Sequence, residues 1–295
     1  MNDAFATWMK SVQTITEETL SDWLPAENHF PETLHEAMRY AVLGGGKRIR
    51  PLLVFATGAL FDAPVSVVAR GACAVEMIHA YSLIHDDMPC MDNDVLRRGK
   101  PTVHVRFGEA TALLAGDALQ AQAFIVLCDG EDDPELRIRR LRILSEAAGS
   151  RGMCGGQAID LASVGKNLSL GQLEQMHRLK TGALLKASVM LGAWSAKRLA
   201  PNETRALENY ADAIGLAFQV VDDILDATAD SAALGKTAGK DASDHKPTYV
   251  SLLGLDTSHE LAKKLCRKAQ AAVVPFGKKA ERLRDLADLV VYRKK

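Results

Sequence analysis

Along most of the chain apolar residues recur every three or four positions, as in Phe5, Trp8, Met9, Val12 and Ile15, or Leu34, Ala37, Met38, Ala41 and Val42. This is the spacing of one buried helical face. Strand-like alternation is hard to find. Pro31, Pro134 and Pro201 suit first helical turns, while Ser169-x-x-Gln172 and Thr257-x-x-Glu260 read as capping boxes. The pattern predicts about ten helices. Segments 70–85, 108–127, 181–194 and 210–225 are apolar or small on most faces, as in helices inside a bundle, and the more amphipathic ends of the chain can supply an outer layer. No Pro/Gly/Ser linker divides the sequence. The expectation is an all-α, single-domain helical bundle over residues 1–295. Its irregular stretches, 43–50, 88–103, 149–169 and 227–248, hold most of the polar residues of interest.

Composition changes this picture little. Apolar residues make up 47% and charged residues 25%, enough for a large core, and the net charge is −1. With no block of Lys and Arg, nothing in the charge points to nucleic acid or an anionic membrane. Five cysteines form no CxxC pair and cannot all close into disulfides, which implies free thiols and a reducing compartment. The amino terminus has no basic segment followed by an apolar run, and no stretch reaches about 18 uninterrupted apolar residues. A cytoplasmic protein without stable membrane association is the expectation.

The chemistry concentrates in two acidic motifs. Asp86-Asp87-Met88-Pro89-Cys90-Met91-Asp92-Asn93-Asp94 ends the apolar helix through Val75, Ile78, Leu83 and Ile84. Pro89 disfavours helical geometry at Met88, so the chain leaves the helix there and Asp92 can fold back toward Asp86. In Asp222-Asp223-Ile224-Leu225-Asp226, Asp222 and Asp226 share a helical face. Crowded carboxylates repel unless a cation or proton intervenes, and a hard divalent metal such as magnesium takes oxygen ligands from one or two carboxylates plus substrate phosphates. Two such motifs suggest a phosphorylated substrate held between them. A solvated acidic surface explains one such string as well, but two much less well. A calcium loop counted from Asp92 has Arg97 at the sixth position instead of Gly and Val103 at the twelfth instead of Glu.

Basic residues accompany the acids. Gly44-Gly45-Gly46-Lys47-Arg48-Ile49-Arg50-Pro51 combines close backbone approach with cations, yet it lacks P-loop spacing and puts Arg48 where Ser or Thr belongs. Arg97 and Arg98 follow the first acidic motif, where guanidinium forks suit phosphate oxygens. Lys180-Thr181 and Gly235-Lys236 add further charges.

Taken in order, GGGKRIRP, HAYSLIHDDMPCMDNDVLRRGKPT, GGQAIDL, LKTG, FQVVDDILD and GKTAGKD resemble the trans-isoprenyl diphosphate synthase family over nearly the whole chain. The spacing DDxxxxD in the first motif resembles the bacterial and plastid branch. The resemblance implies a bundle with both aspartate motifs at the mouth of a central cavity, a homodimer, and Mg2+-dependent head-to-tail condensation of isopentenyl diphosphate with dimethylallyl and geranyl diphosphate to give farnesyl diphosphate. It implies Asp86, Asp92 and Asp222 as metal ligands, with Asp87, Asp223 and Asp226 helping directly or through water. Arg97, Lys180, Lys236 and Lys246 would hold the allylic diphosphate. Lys47, Arg50, His79 and Arg98 would hold isopentenyl diphosphate. Thr181 and Gln219 would stand near the developing allylic cation. The final proton would go to the departed diphosphate, with His85 as the alternative base. Tyr81, about 7.5 Å below Asp86 along the helix, would floor the chain pocket beside the small Ser82.

Four other functions fit parts of this pattern less well. A terpene cyclase needs no second diphosphate pocket, a non-catalytic partner subunit would lose an acidic motif, and a geranylgeranyl diphosphate synthase would carry a smaller residue at Tyr81. A ferritin-like di-iron centre needs paired Glu-x-x-His motifs. The basic end Arg293-Lys294-Lys295 reads as a solvated tail or as a cover for bound diphosphates.

Overall fold

The computed structural model of the chain describes residues 3–166, 168–228 and 247–293. In chain order the described helices are α1 (Asp3–Trp23), α2 (Glu32–Val42), α3 (Ile49–Leu60), α4 (Val65–Asp86), α5 (Val103–Phe107), α6 (Glu109–Cys128), α7 (Pro134–Ala148), α8 (Met153–Ser163) and α9 (Leu170–His177). A π-helical turn, Arg178–Gly182, leads into α10 (Ala183–Ala193), and α11 (Pro201–Thr228) is the longest helix described. After α12 (Tyr249–Leu253) and α13 (Leu255–Ala272), a 3-10 segment Val274–Ala280 precedes α14 (Glu281–Tyr292). The only strands among the described residues, β1 (Leu96–Arg97) and β2 (Lys100–Pro101), form a two-residue antiparallel hairpin. The all-α expectation holds. The capping box at Ser169 is present, whereas Thr257 lies inside α13, behind Gly254 at its N-cap, and the further capping box is Thr248 with Ser251. Gly254 sits at φ +81°, a conformation glycine adopts without steric cost, and it starts α13 earlier than the Thr257 signal implied.

The chain divides into two compact units, Met1–Arg142 with Leu191–Lys197, and Ile143–Met190 with Arg198–Lys295. In the first, α4 packs along α6 and α3 and against α1. Fourteen of its 22 residues are buried, so the helix has no polar face and its sequence shows no amphipathic period. Leu52, Leu53, Met77, Ile78 and Leu119 are wholly buried, each contributing roughly 1.5–3 kcal/mol by leaving water. That burial offsets the cost of taking Arg48 and Glu76 into the same core. By length and composition α4 and α6 could each cross a membrane, but 78% of the apolar window of α4 is buried, as in a core helix. α6 differs from the expectation of all-round burial: Leu113, Leu114 and Ile125 are about half exposed, because its unit covers the opposite flank.

In the second unit α11 packs against α13, α14, α12 and the π-turn. Its inner face carries Leu207, Tyr210, Ile214, Val220 and Ile224, and the Tyr210 hydroxyl, wholly buried, donates to the Leu283 carbonyl at 2.7 Å. The same helix runs unbroken through Asp222 and Asp226, which fixes both acids on one face, four residues apart.

Candidate active site

In the first unit the aspartate loop folds back as its sequence implies. The Asp92 amide donates to the Asp86 carbonyl at 2.9 Å and the Asp94 amide to the Asp87 carbonyl at 3.1 Å, with Asn93 at φ +50° completing the turn. The adjacent aspartates then part company. Asp86 and Asp92 remain partly exposed, whereas Asp87 is 3% exposed. Both Asp87 carboxylate oxygens are taken by Arg97, through Nε at 2.8–2.9 Å and Nη2 at 2.5 Å.

The hairpin presents two arginines. Arg98 and Gly99, at φ +53° and +74°, form the two-residue turn between Arg97 and Lys100, a geometry suited to the twist of paired strands. Arg98 leans onto the glycine loop, its Nη1 donating to the Gly45 carbonyl at 2.7 Å. A Cβ at Gly46 would lie 2.8 Å from the same atom. Lys47 is exposed and Arg50 half-buried on the first turn of α3. His79 belongs to the same cluster: burial, reinforced by Arg50, Arg98, Arg97 and Arg48, holds its pKa well below the ordinary value. It is neutral near pH 7 and offers an uncharged ring N–H. Thus Arg50, His79 and Arg98, drawn from three segments of the chain, lie close together beside the loop that carries Lys47.

Tyr81 is buried and packs edge-on against His85, with ring centroids 5.6 Å apart. His85 Nε2 donates to the Leu113 carbonyl at 3.1 Å and fills the space beside Gly116, which ties the ring to α6. Ser82 donates to the His79 carbonyl.

In the second unit the π-turn lies between α8 and α11. Gly156 permits one approach, since a Cβ there would stand 2.1 Å from the Lys180 amide nitrogen. Gly215 permits the other, its Cβ position being 3.1 Å from Gly182 Cα. One turn beyond Gly156, Asp160 grips Lys180 Nζ at 2.6 Å. On the α11 side the Thr181 hydroxyl donates to Gln219 Oε1 at 3.2 Å, and Gln219 Nε2 donates to Asp223 Oδ1 at 3.1 Å. The Tyr249 amide donates to Asp223 Oδ2 at 2.8 Å, so buried Asp223, like Asp87, has both oxygens bound by protein. Asp222 is partly exposed and accepts from Arg293 at 2.5 Å; Arg293 also lies over the Phe218 ring. Asp226 is partly exposed. Lys236 and Lys246, and Lys294 and Lys295 of the basic end, lie outside the described residues.

Each unit offers partly exposed, hard carboxylate oxygens of the kind magnesium takes, Asp86 and Asp92 in the first and Asp222 and Asp226 in the second. Among the described residues no three such side chains gather closely enough to hold an ion by themselves. Sequence reasoning missed Asp160, Glu17, Glu76, His177 and Tyr249. Only Asp160 carried a signal, its place in GGQAIDL.

The fold and these constellations define a prenyltransferase built on the all-α isoprenoid synthase fold. Residues 31–280 match the polyprenyl synthetase family model, and the chain belongs to that family. It is 50% identical over 282 residues to a probable farnesyl diphosphate synthase of Sinorhizobium fredii, covering 95% of this chain and 85% of that one. A solved FPP/GFPP synthase from Zymomonas mobilis superposes with a TM-score of 0.89 at 43% identity, covering 99% of this chain and all of the other. A Helicobacter pylori geranyltransferase, solved with magnesium and isoprenyl diphosphate, gives 0.85 at 31% identity, covering 99% and 97%.

His177, buried at the start of the π-turn, stacks on Tyr249 at 5.6 Å, and neither ring nitrogen meets a hydrogen-bonding partner among the described residues. Burial lowers its pKa from 6.5 to about 4, with Asp160 opposing the shift and Lys180 adding to it. Between those values the unfolded chain binds a proton that the folded chain does not, so stability is complete above pH 6.5 and falls as pH drops toward 4. At about 1.4 kcal/mol per pH unit, the loss from this residue is on the order of 3 kcal/mol. Urea unfolding of the wild type and His177→Phe across pH 4–7 should show a flatter profile in the variant; parallel profiles would contradict the assignment.

Proposed function

We propose that the enzyme makes farnesyl diphosphate, joining isopentenyl diphosphate to dimethylallyl and then to geranyl diphosphate with magnesium. The observation that carries this reading is the gathering of Arg50, Arg98 and neutral His79 beside the loop of Lys47, a set of groups suited to a diphosphate in addition to the aspartate motifs. A cyclase acting on a single diphosphate has no use for it. Magnesium, when bound, would neutralise the allylic diphosphate and make it a competent leaving group.

Asp86, Asp92 and Asp222 would hold the metal, with Asp226 on the same helical face as Asp222. Asp87 and Asp223 act through the groups they orient, Arg97 and Gln219. Arg97 and Lys180 grip the allylic diphosphate, joined by Lys236 and Lys246. Thr181 and Gln219 offer oxygen lone pairs to the allylic cation without capturing it. Lys47, Arg50, Arg98 and the His79 ring N–H orient isopentenyl diphosphate, whose double bond attacks the cation; the proton then lost passes to the departed diphosphate. Tyr81, wedged against His85, limits chain length, with Ser82 beside it. The whole chain acts as one synthase domain. Five free thiols support a cytoplasmic setting, and the exposed apolar flank of α6 supports a homodimer.

Four measurements test the reading. Incubation with isopentenyl diphosphate, each allylic primer and magnesium should release a fifteen-carbon product, and Asp86→Ala or Asp222→Ala should cut turnover by several orders of magnitude. Near-normal turnover at saturating magnesium would refute the metal assignment. Tyr81→Ala should extend products to twenty carbons or more; if only farnesyl diphosphate appears, another residue sets the length. In sedimentation equilibrium the protein should run at twice the 31.9 kDa chain mass, and a monomer would remove the role given to α6.

A further inference from the structure

Arg48 sits in the middle of the cationic motif, between Lys47 and Arg50, yet it has no role in the reading above. It is 5% exposed, and its side chain points inward. Nε and Nη2 donate to Glu17 Oε1 at 2.8 and 2.6 Å, Nη1 donates to Glu76 Oε1 at 2.6 Å, and Nη2 also reaches the Val42 carbonyl at 2.7 Å. A guanidinium has five N–H donors, and most of them are committed here, leaving little capacity for a substrate. The backbone is held in an unusual state as well: Arg48 caps the start of α3 at φ 52°, ψ 41°. For a residue with a Cβ that left-handed conformation costs about 1–2 kcal/mol unless its surroundings enforce it.

The partners show what the enforcement achieves. Glu17 and Gln13 lie one turn apart on α1, and Gln13 Nε2 donates to the Lys47 carbonyl at 3.2 Å. Glu76 lies one turn before His79 on α4. Arg48 therefore ties the loop to α1 and to the helix carrying His79 and Asp86, while Lys47 on one side stays exposed and Arg50 on the other stays half-buried. Burial and the neighbouring Arg48 and Arg97 hold the Arg98 pKa below the ordinary guanidinium value, and Glu76 and Glu17 oppose that shift. The two glutamates thus offset part of the repulsion among these cations.

We propose that Arg48 is a positioning residue: locked onto Glu17 and Glu76 from a left-handed backbone, it sets Lys47 and Arg50 at the spacing that receives the second diphosphate. The inference rests on the reading that Lys47 and Arg50 bind isopentenyl diphosphate.

Steady-state kinetics with each substrate varied separately test it, in Arg48→Lys, which keeps the charge and loses the fork, and in the milder Glu17→Gln. Both should raise KM for isopentenyl diphosphate at least tenfold and leave KM for the allylic diphosphate within twofold. In an Arg50→Ala background Arg48→Lys should add less than twofold, because a residue acting through Arg50 has little left to misplace. Lower thermal stability with both KM values unchanged overturns the proposal, leaving Arg48 a brace. Full multiplication of the two effects also overturns it, by making Arg48 a direct ligand. An unchanged isopentenyl KM in Arg50→Ala itself would overturn the site reading beneath it. If Arg48→Lys does not fold, Glu17→Gln decides alone by the same criteria.

Discussion

A carboxylate taken out of water must be met by donors or a cation, and that constraint organises both aspartate motifs. Neighbouring side chains on a helix point about 100° apart, so adjacent aspartates can meet different surroundings. In each unit the second member of the pair points inward and is fully met, Asp87 by the Arg97 fork and Asp223 by Gln219 and the Tyr249 amide. The first member keeps partial exposure, Asp86 at the loop and Asp222 while its carboxylate also accepts from Arg293. The pair is a division of labour between holding and facing out. Each inward acid also fixes a group of chemical use, a guanidinium in one unit and an amide in the other.

The same economy recurs among the cations. Lys180 is steered by Asp160, Arg98 by the Gly45 carbonyl, and the glycine loop by buried Arg48. Long, flexible basic side chains lose substantial rotamer entropy when they order. Here some of that loss is met within the protein, before any ligand arrives. The ion pairs sit on helices whose apolar burial offsets their desolvation, so they specify geometry more than they stabilise.

Much of this was legible in the chain. Helical spacing, the proline starts, the fold-back at Pro89 and the shared face of Asp222 and Asp226 follow from local stereochemistry, which depends only on near neighbours. What escaped were partnerships across long sequence separations. Glu17 reads as one acid on an amphipathic helix, and nothing nearby says it meets Arg48. His177 reads as a polar end to α9, although it is buried under Tyr249. α6 misled in the opposite sense: composition says apolar, but only packing tells which flank its own unit covers. The Thr257 signal lost to a glycine three residues earlier, because a backbone conformation that needs no side chain can start a helix before a capping hydroxyl does.

The π-turn has a consequence for how the chain is phased. A π-helical turn holds one residue more than an α-turn, so the side chains of α10 are offset around the axis from where a continuous α9 would have put them, by about the 100° that one residue spans. Across that offset Lys180 reaches α8 while its neighbour Thr181 reaches α11. The segment works as a phase shifter: one surplus residue lets a single turn serve two helices on different sides.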